Sequence, residues 1–265
     1  MSWRYPLVSG IRILGRVLEE MAIGLAIPDD LIRLNKRFFN NEASKSVYLA
    51  DPTLFPPEEE FVEASGLRTG RVLVIGCGSG RDTIALAKRG FTVTAIDQVP
   101  TLVDATRLNA AKAEVSVEVY CAEVSSTTWP PATFDLIFLP NLMYTYIPTR
   151  RRRIQTLERL RTAAKPGGWC YLRFLCTESS STQARRFLHL MQRMVAWSTL
   201  GNVECELGDT LDRGLFEHRF SDSKVVEDEA QMAGWIVQRS GEPNQNIDYL
   251  WITAPSKVPV LPSLR

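Results

Sequence analysis

Five residues in a row, Gly76-Cys77-Gly78-Ser79-Gly80, close the apolar run Val72-Leu73-Val74-Ile75 and open a helical segment. Glycine lets the backbone turn sharply and lets a ligand come close to the main chain. The helix that follows points free amide groups at whatever lies in that turn. Two classes of cofactor use this device. A dinucleotide fold wants G-x-G-x-x-G, and here the third glycine of that pattern falls at Arg81. The spacing present is G-x-G-x-G, which argues against a nicotinamide or flavin. Asp97 ends the next apolar run, Phe91 to Ile96. Its two carboxylate oxygens can accept both hydroxyl protons of a ribose; the alternative is an aspartate that caps a helix.

Together with three later segments these residues resemble the class I S-adenosylmethionine (SAM)-dependent methyltransferase family. Gly76 to Gly80 is similar to that family's first motif and Phe91 to Asp97 to its second. Cys121-Ala122-Glu123-Val124 is similar to the third, Phe134-Asp135-Leu136-Ile137 to the fourth, and Lys165-Pro166-Gly167-Gly168 to the signature before strand five. One G-x-G-x-G says little; five motifs in order, over about Gly70 to Thr253, say much more. The resemblance implies that SAM is the cofactor, with S-adenosylhomocysteine (SAH) as product. It implies that Asp97 holds the ribose, that Glu123 accepts from the adenine amino group, that the Val124 amide serves a ring nitrogen and that Gln98 lies against the adenine. Gly76, Cys77, Gly78 and Gly80, with Leu139 at the end of strand four, complete the expected contact set. The chain departs from the pattern at Val74, where the family carries an acid that orders the glycine loop and the cofactor's methionine end. Asp82 is either a substitute or an acid placed to suit the helix dipole.

The substrate is expected beyond the carboxyl end of strand four, where Leu139-Pro140-Asn141-Leu142-Met143-Tyr144-Thr145-Tyr146 stands. This run lacks the Asn/Asp-Pro-Pro-Tyr and Pro-Cys signatures of enzymes that methylate nucleobases. Tyr146 and Tyr144 are candidates to orient a substrate, although an ordinary phenol is a poor base at neutral pH. His218 is a candidate base. Strand alternation, however, puts it on one face with Phe216 and Phe220, as a core histidine would be. The basic run Arg150 to Arg153 spreads around a helix and reads as a solvated face, with RNA or an acidic partner as the alternative.

The elements that must position these groups alternate. Strands are expected at Arg71 to Ile75, Phe91 to Ile96, Val115 to Tyr120, Phe134 to Leu139 and Trp169 to Leu175. Helices are expected at Asp82 to Arg89, Leu102 to Ala113 and Thr149 to Ala164. Strands and helices in turn imply a doubly wound α/β fold. The pattern predicts a mostly parallel seven-stranded sheet whose last strand, Ile247 to Thr253, is antiparallel. Helices at Thr182 to Leu200 and Asp222 to Ala233, and strands at Leu215 to Phe220 and Trp235 to Arg239, complete the expectation. Residues 1–66 read as a helical lid, 67–255 as the cofactor domain with 176–214 as a substrate-side insertion, and 256–265 as a tail. The N-terminal apolar stretch, Val8 to Ile27, is interrupted by Arg12, Arg16, Glu19 and Glu20. It reads as an amphipathic helix whose Ile11, Leu14, Leu18, Met21, Ala22 and Leu25 pack on the domain, not as a membrane span.

Composition adds bounds. The chain has 265 residues, 45% apolar and 23% charged, with net charge +1, so no overall field draws it to nucleic acid or anionic lipid. Its five scattered cysteines and two histidines form no metal-ligand pattern, and they read as free thiols in a reducing, cytoplasmic setting. The expected activity is in-line methyl transfer to an O, N or S nucleophile of a small molecule. Methylation of RNA or protein, or SAM binding without catalysis, are the rivals. Nothing in the sequence bears on oligomeric state.

Overall fold

The computed structural model describes residues 4–41, 52–177, 183–241 and 246–256. Three helices come first: α1 (Arg4–Leu25), α2 (Pro28–Asn40) and α3 (Pro56–Ala64). The alternating part runs β1 (Arg71–Ile75), α4 (Arg81–Lys88), β2 (Thr92–Asp97), α5 (Pro100–Lys112), β3 (Val117–Cys121), β4 (Phe134–Leu139), α6 (Arg150–Ala163) and β5 (Ala164–Leu175). Then follow α7 (Gln183–Thr199), the hairpin β6 (Asp209–Asp212) and β7 (Leu215–His218), α8 (Ser223–Met232), β8 (Ile236–Ser240) and β9 (Ile247–Thr253). Proline stands in the first turn of α2, α3 and α5, where its missing N–H costs nothing.

The main sheet has seven strands in the order β3-β2-β1-β4-β5-β9-β8. β1 pairs in parallel with β2 and β4, and β9 is antiparallel to both its neighbours. This is the expected doubly wound sheet. Alternate residues of each strand serve opposite faces. Leu73, Ile75, Ile137 and Leu139 pack with Leu157 and Leu160 of α6 and Val226 of α8. Val72, Val74, Leu136 and Phe138 pack with Phe61 of α3, Leu86 of α4 and Val103 of α5. α3 therefore belongs to the sheet layer: Phe61 meets the rings of Phe138, Trp169, Tyr171 and Trp251.

Four expectations are corrected. Lys165-Pro166-Gly167-Gly168 does not separate a helix from a strand; it lies inside β5, where the register against β4 shifts between Phe134 and Leu136. The strand expected at Leu215 to Phe220 joins no edge of the main sheet; as β7 it pairs with β6, a strand not expected, in a separate two-stranded sheet. Most of the apolar stripe of α1 does not pack: Ile11, Leu14, Leu18 and Leu25 are each more than half exposed, and Ala22 alone of the stripe joins a buried cluster. α1 is held instead through buried Ile23 and through Gly24, where a Cβ would fall 2.1 Å from the carbonyl oxygen of Gln192 in α7. Close helix contact at a glycine, not the apolar stripe, decided which face turned inward.

The fourth correction concerns the arginines. Arg153 is fully buried, its guanidinium donating to Glu229 of α8 and to Glu206. Arg151 pairs with Glu204 and Arg152 with Asp29. The run joins α6 to its neighbours and is not a free basic face. Among the described residues no helix is long and apolar enough to cross a membrane. The expected tail lies outside the described residues apart from Ser256.

Candidate functional site

The strand order reverses between β1 and β4, and in such sheets a crevice opens beyond the carboxyl ends at the reversal. The cleft found there encloses about 740 Å³, part of it open to solvent. Gly76 and Cys77 each donate a backbone N–H to the carbonyl of Ile96, at 2.8 and 3.0 Å, tying the glycine turn to the end of β2. Gly76 has φ +74°, and a Cβ there would fall 2.2 Å from the Met143 sulfur, so the turn needs glycine on two counts.

Asp97 is fixed by that turn. Its Oδ2 accepts the N–H of Gly78 at 3.0 Å and its Oδ1 that of Val99 at 2.9 Å. Each oxygen keeps acceptor capacity toward the cleft, which Asp97 lines. Burial raises its pKa to about 6, with the backbone N–H groups opposing. It is therefore ionised at neutral pH and able to accept two hydroxyl protons. Neither contact caps a helix: Oδ1 closes an i,i+2 turn on Val99, the residue before α5, and Oδ2 holds the glycine turn.

Gln98, Glu123 and Val124 line the cleft with Gly76, Gly78 and Asp97. The Glu123 carboxylate turns toward its own loop, where Oε1 accepts the N–H and Oε2 the hydroxyl of Ser125, both at 2.8 Å. Three expected contacts lie elsewhere. The Cys77 thiol is buried beside Thr106, and burial together with Asp97 pushes its pKa up to about 12. Gly80 starts α4 with φ +101° and packs on Ile84 and Thr106. Leu139 points into the core under the sheet. Nothing local in the sequence says which way the Cys77 and Leu139 side chains leave the strand ends.

Beside α2, Tyr146 lines the cleft and meets Phe39 of that helix edge-to-face at 5.3 Å. Ile32 and Phe39 bring α2 over the opening. Asn35, buried on the same helix, accepts the N–H of Phe216 at 2.7 Å and donates to its carbonyl at 3.1 Å, which locks α2 to β7. The sequence reading missed these residues; a buried amide partnering a strand 181 positions away leaves no local signal. α2 is thus the covering element, whereas α7, the expected substrate wall, packs on α1 and supplies none of the cleft lining.

Two candidate catalytic residues are corrected. Tyr144 is fully buried; its hydroxyl donates to Glu229 at 2.6 Å and its ring stacks on Phe220. Burial, reinforced by Glu229, holds its pKa well above that of a free phenol. His218 is buried with Nδ1 2.7 Å from Asp209 and its ring against Phe220. Neither reaches the cleft. Glu206, Asp209 and His218 stand close enough together to hold an ion among the described residues, but Glu206 is engaged by Arg153 and Asp209 by His218.

The cleft, with its glycine turn and paired-acceptor aspartate, can be set beside known proteins. A family model described as a methyltransferase domain matches residues 72–168. That stretch, from β1 into β5, carries the similarity to methyltransferases. The domain is similar to the ubiquinone biosynthesis O-methyltransferase of Coxiella burnetii (strain RSA 493 / Nine Mile phase I), with 29% identity over 124 residues, 47% of this chain and 50% of that protein. It is also similar to the protein of the same description from Paracidovorax citrulli, with 34% identity over 113 residues, 40% of this chain and 43% of that one. The chain spans about half the length of the curated relatives it matches. Two solved structures share the fold, each at 18% identity and TM-score 0.61. A SAM-dependent methyltransferase from Methanosarcina mazei covers 78% of this chain and all of its own. The Burkholderia thailandensis 1,6-didemethyltoxoflavin-N1-methyltransferase, solved with its substrate and SAH, covers 87% of this chain and 90% of its own.

Proposed function

We propose that this chain binds SAM in the cleft and transfers its methyl group to an acidic hydroxyl of a small molecule with an apolar or aromatic body. The observation that carries the reading is Asp97. Its two oxygens are aimed into the cleft by the amides of Gly78 and Val99, which suits a ribose diol. Bound SAM supplies a methyl group on a sulfonium, already activated for in-line attack.

The protein's part is alignment and exclusion of water. Gly76 and Gly78 let the cofactor approach the backbone, and Gln98 and Val124 flank the space for an adenine. Ile32 and Phe39 from α2, with Met143, Tyr146 and Ile147, form an apolar wall for the acceptor. Holding two reactants in line accounts for several kcal/mol of barrier lowering. Among the described residues the two candidate bases, Tyr144 and His218, are engaged away from this wall. That favours an acceptor that gives up its proton readily, with Tyr146 placed to orient it. The name of the curated relatives, O-methyltransferase, favours oxygen over nitrogen or sulfur.

The test is calorimetry with SAH and NAD, followed by turnover of methyl-labelled SAM on a panel of phenols, anilines and thiols. SAH binding in the micromolar range without NAD binding, and labelled phenol ethers, are expected. NAD binding without SAH binding refutes the cofactor, and label on RNA alone refutes the small acceptor.

A further inference from the structure

The cleft ends, opposite Asp97, on a buried charged cluster. Asn141 lines the cleft just beyond β4, with φ +51°. Behind it stand Arg81 and Asp82 in the first turn of α4 and Glu58 in the first turn of α3. Nη2 of Arg81 donates to both oxygens of Glu58, at 3.1 and 3.2 Å, and to Oδ1 of Asn141 at 3.4 Å. The Asn141 amide donates to Asp82 at 3.4 Å. Arg81 also lies flat on the Phe55 ring, 3.6 Å from its centre. Glu58 and Asp82 are completely buried.

This cluster is short of positive charge. It holds two carboxylates and one guanidinium. Asp82 Oδ1 stands 2.6 Å from Arg81 as an ion pair but accepts no hydrogen bond, and the second Arg81 Nη also lacks a partner. The other charged or titratable groups packed nearby come from β5. Arg173 sits 5.1 Å from the Phe55 ring, and Tyr171 is a neutral phenol whose pKa burial raises. Burying an uncompensated charge is costly unless a proton or a counter-ion neutralises it. Burial first, then Asp82, raises Glu58 to about 7, so without a ligand the cluster takes up a proton near neutrality.

We propose that Glu58 and Asp82, acting through Asn141, provide the negative field that holds the ammonium group at the amino-acid end of the cofactor. This rests on the SAM reading of the cleft. It assigns a positioning role to two acids on separate helices, one of them outside the matched domain. Binding of the ammonium replaces the proton on Glu58, so a proton leaves when the cofactor arrives. A ligand with the adenosine part alone triggers no such release.

The experiment compares SAH with 5′-methylthioadenosine, which lacks the amino-acid end, by calorimetry in two buffers of different ionisation enthalpy at pH 7.5, where Asp97 is already ionised. For the native protein, proton release is expected with SAH and not with methylthioadenosine. Glu58→Gln should weaken SAH about tenfold or more, abolish the release and leave methylthioadenosine unchanged. Asn141→Ala, which leaves the buried pair in place, should give the same selective loss of SAH and serves if Glu58→Gln does not fold. Equal weakening of both ligands, or no change in either, overturns the inference while the cofactor reading stands. A native protein that binds neither ligand overturns both.

Discussion

Arg153→Met tests whether the arginine run is structural. In the native chain the Arg153 guanidinium makes contacts of 2.8 to 3.3 Å with Glu229 and of 3.0 Å with both oxygens of Glu206. Burial works against its charge, and the two glutamates more than offset that, so its pKa lies above the usual arginine value. Methionine keeps the apolar stem and removes the charge. Glu206 is partly exposed and still accepts the N–H of Arg150. Glu229 is not exposed at all; it keeps the Tyr144 hydroxyl and an Arg150 nitrogen at 3.7 Å. Stranding a buried carboxylate in this way costs about 3–5 kcal/mol. For a chain of this size that lowers Tm by about 6–20 °C. The assay is urea unfolding with the slope unchanged, checked by calorimetry. Arg153→Met/Glu229→Gln removes the stranded charge and should recover more than half of the loss. A loss below about 1 kcal/mol in the single variant, or no recovery in the double, refutes the reasoning.

Further outcomes follow from the same geometry. Arg151→Gln, at an exposed pair with Glu204, should change stability by less than about 0.5 kcal/mol and leave turnover intact. Asp97→Ala should weaken both SAH and methylthioadenosine by about 1.5–3 kcal/mol, since a charged acceptor of the ribose is lost; unchanged affinity takes Asp97 out of the site. Tyr144→Phe should lower Tm and spare cofactor affinity, whereas Tyr146→Ala should raise KM for the acceptor without lowering Tm, and the reverse pattern would contradict both placements. The pKa values of Asp97 and Glu58 are raised, to about 6 and about 7. Their contribution to apo stability is therefore fully present below about pH 4 and is lost as pH rises through 6–7. Between pH 5.5 and 8 apo Tm should fall while SAH affinity rises; an apo Tm that rises over this interval counts against the buried-acid account.

The sequence by itself determined the sheet and the glycine-turn end of the cleft. Strand and helix periodicities are local, and a glycine turn at a strand end followed by an aspartate at the next strand end can be read along the chain. Gly76, Gly78, Asp97, Gln98, Glu123 and Val124 all reached the cleft for that reason. Which way a side chain leaves a turn was not legible, so Cys77 and Leu139 went to the core. The partners of charged residues were not legible either. Arg153 and Glu229, like Glu58 and Arg81, meet across separate elements, and only packing decides which charges are buried together. The same holds for α1, whose apolar stripe predicted burial, while the helix is seated on α7 at Gly24 and most of the stripe stays exposed. A contact of one glycine with a distant backbone carbonyl has no periodicity. Tertiary structure alone decided which helix covers the cleft and which charges are buried as pairs.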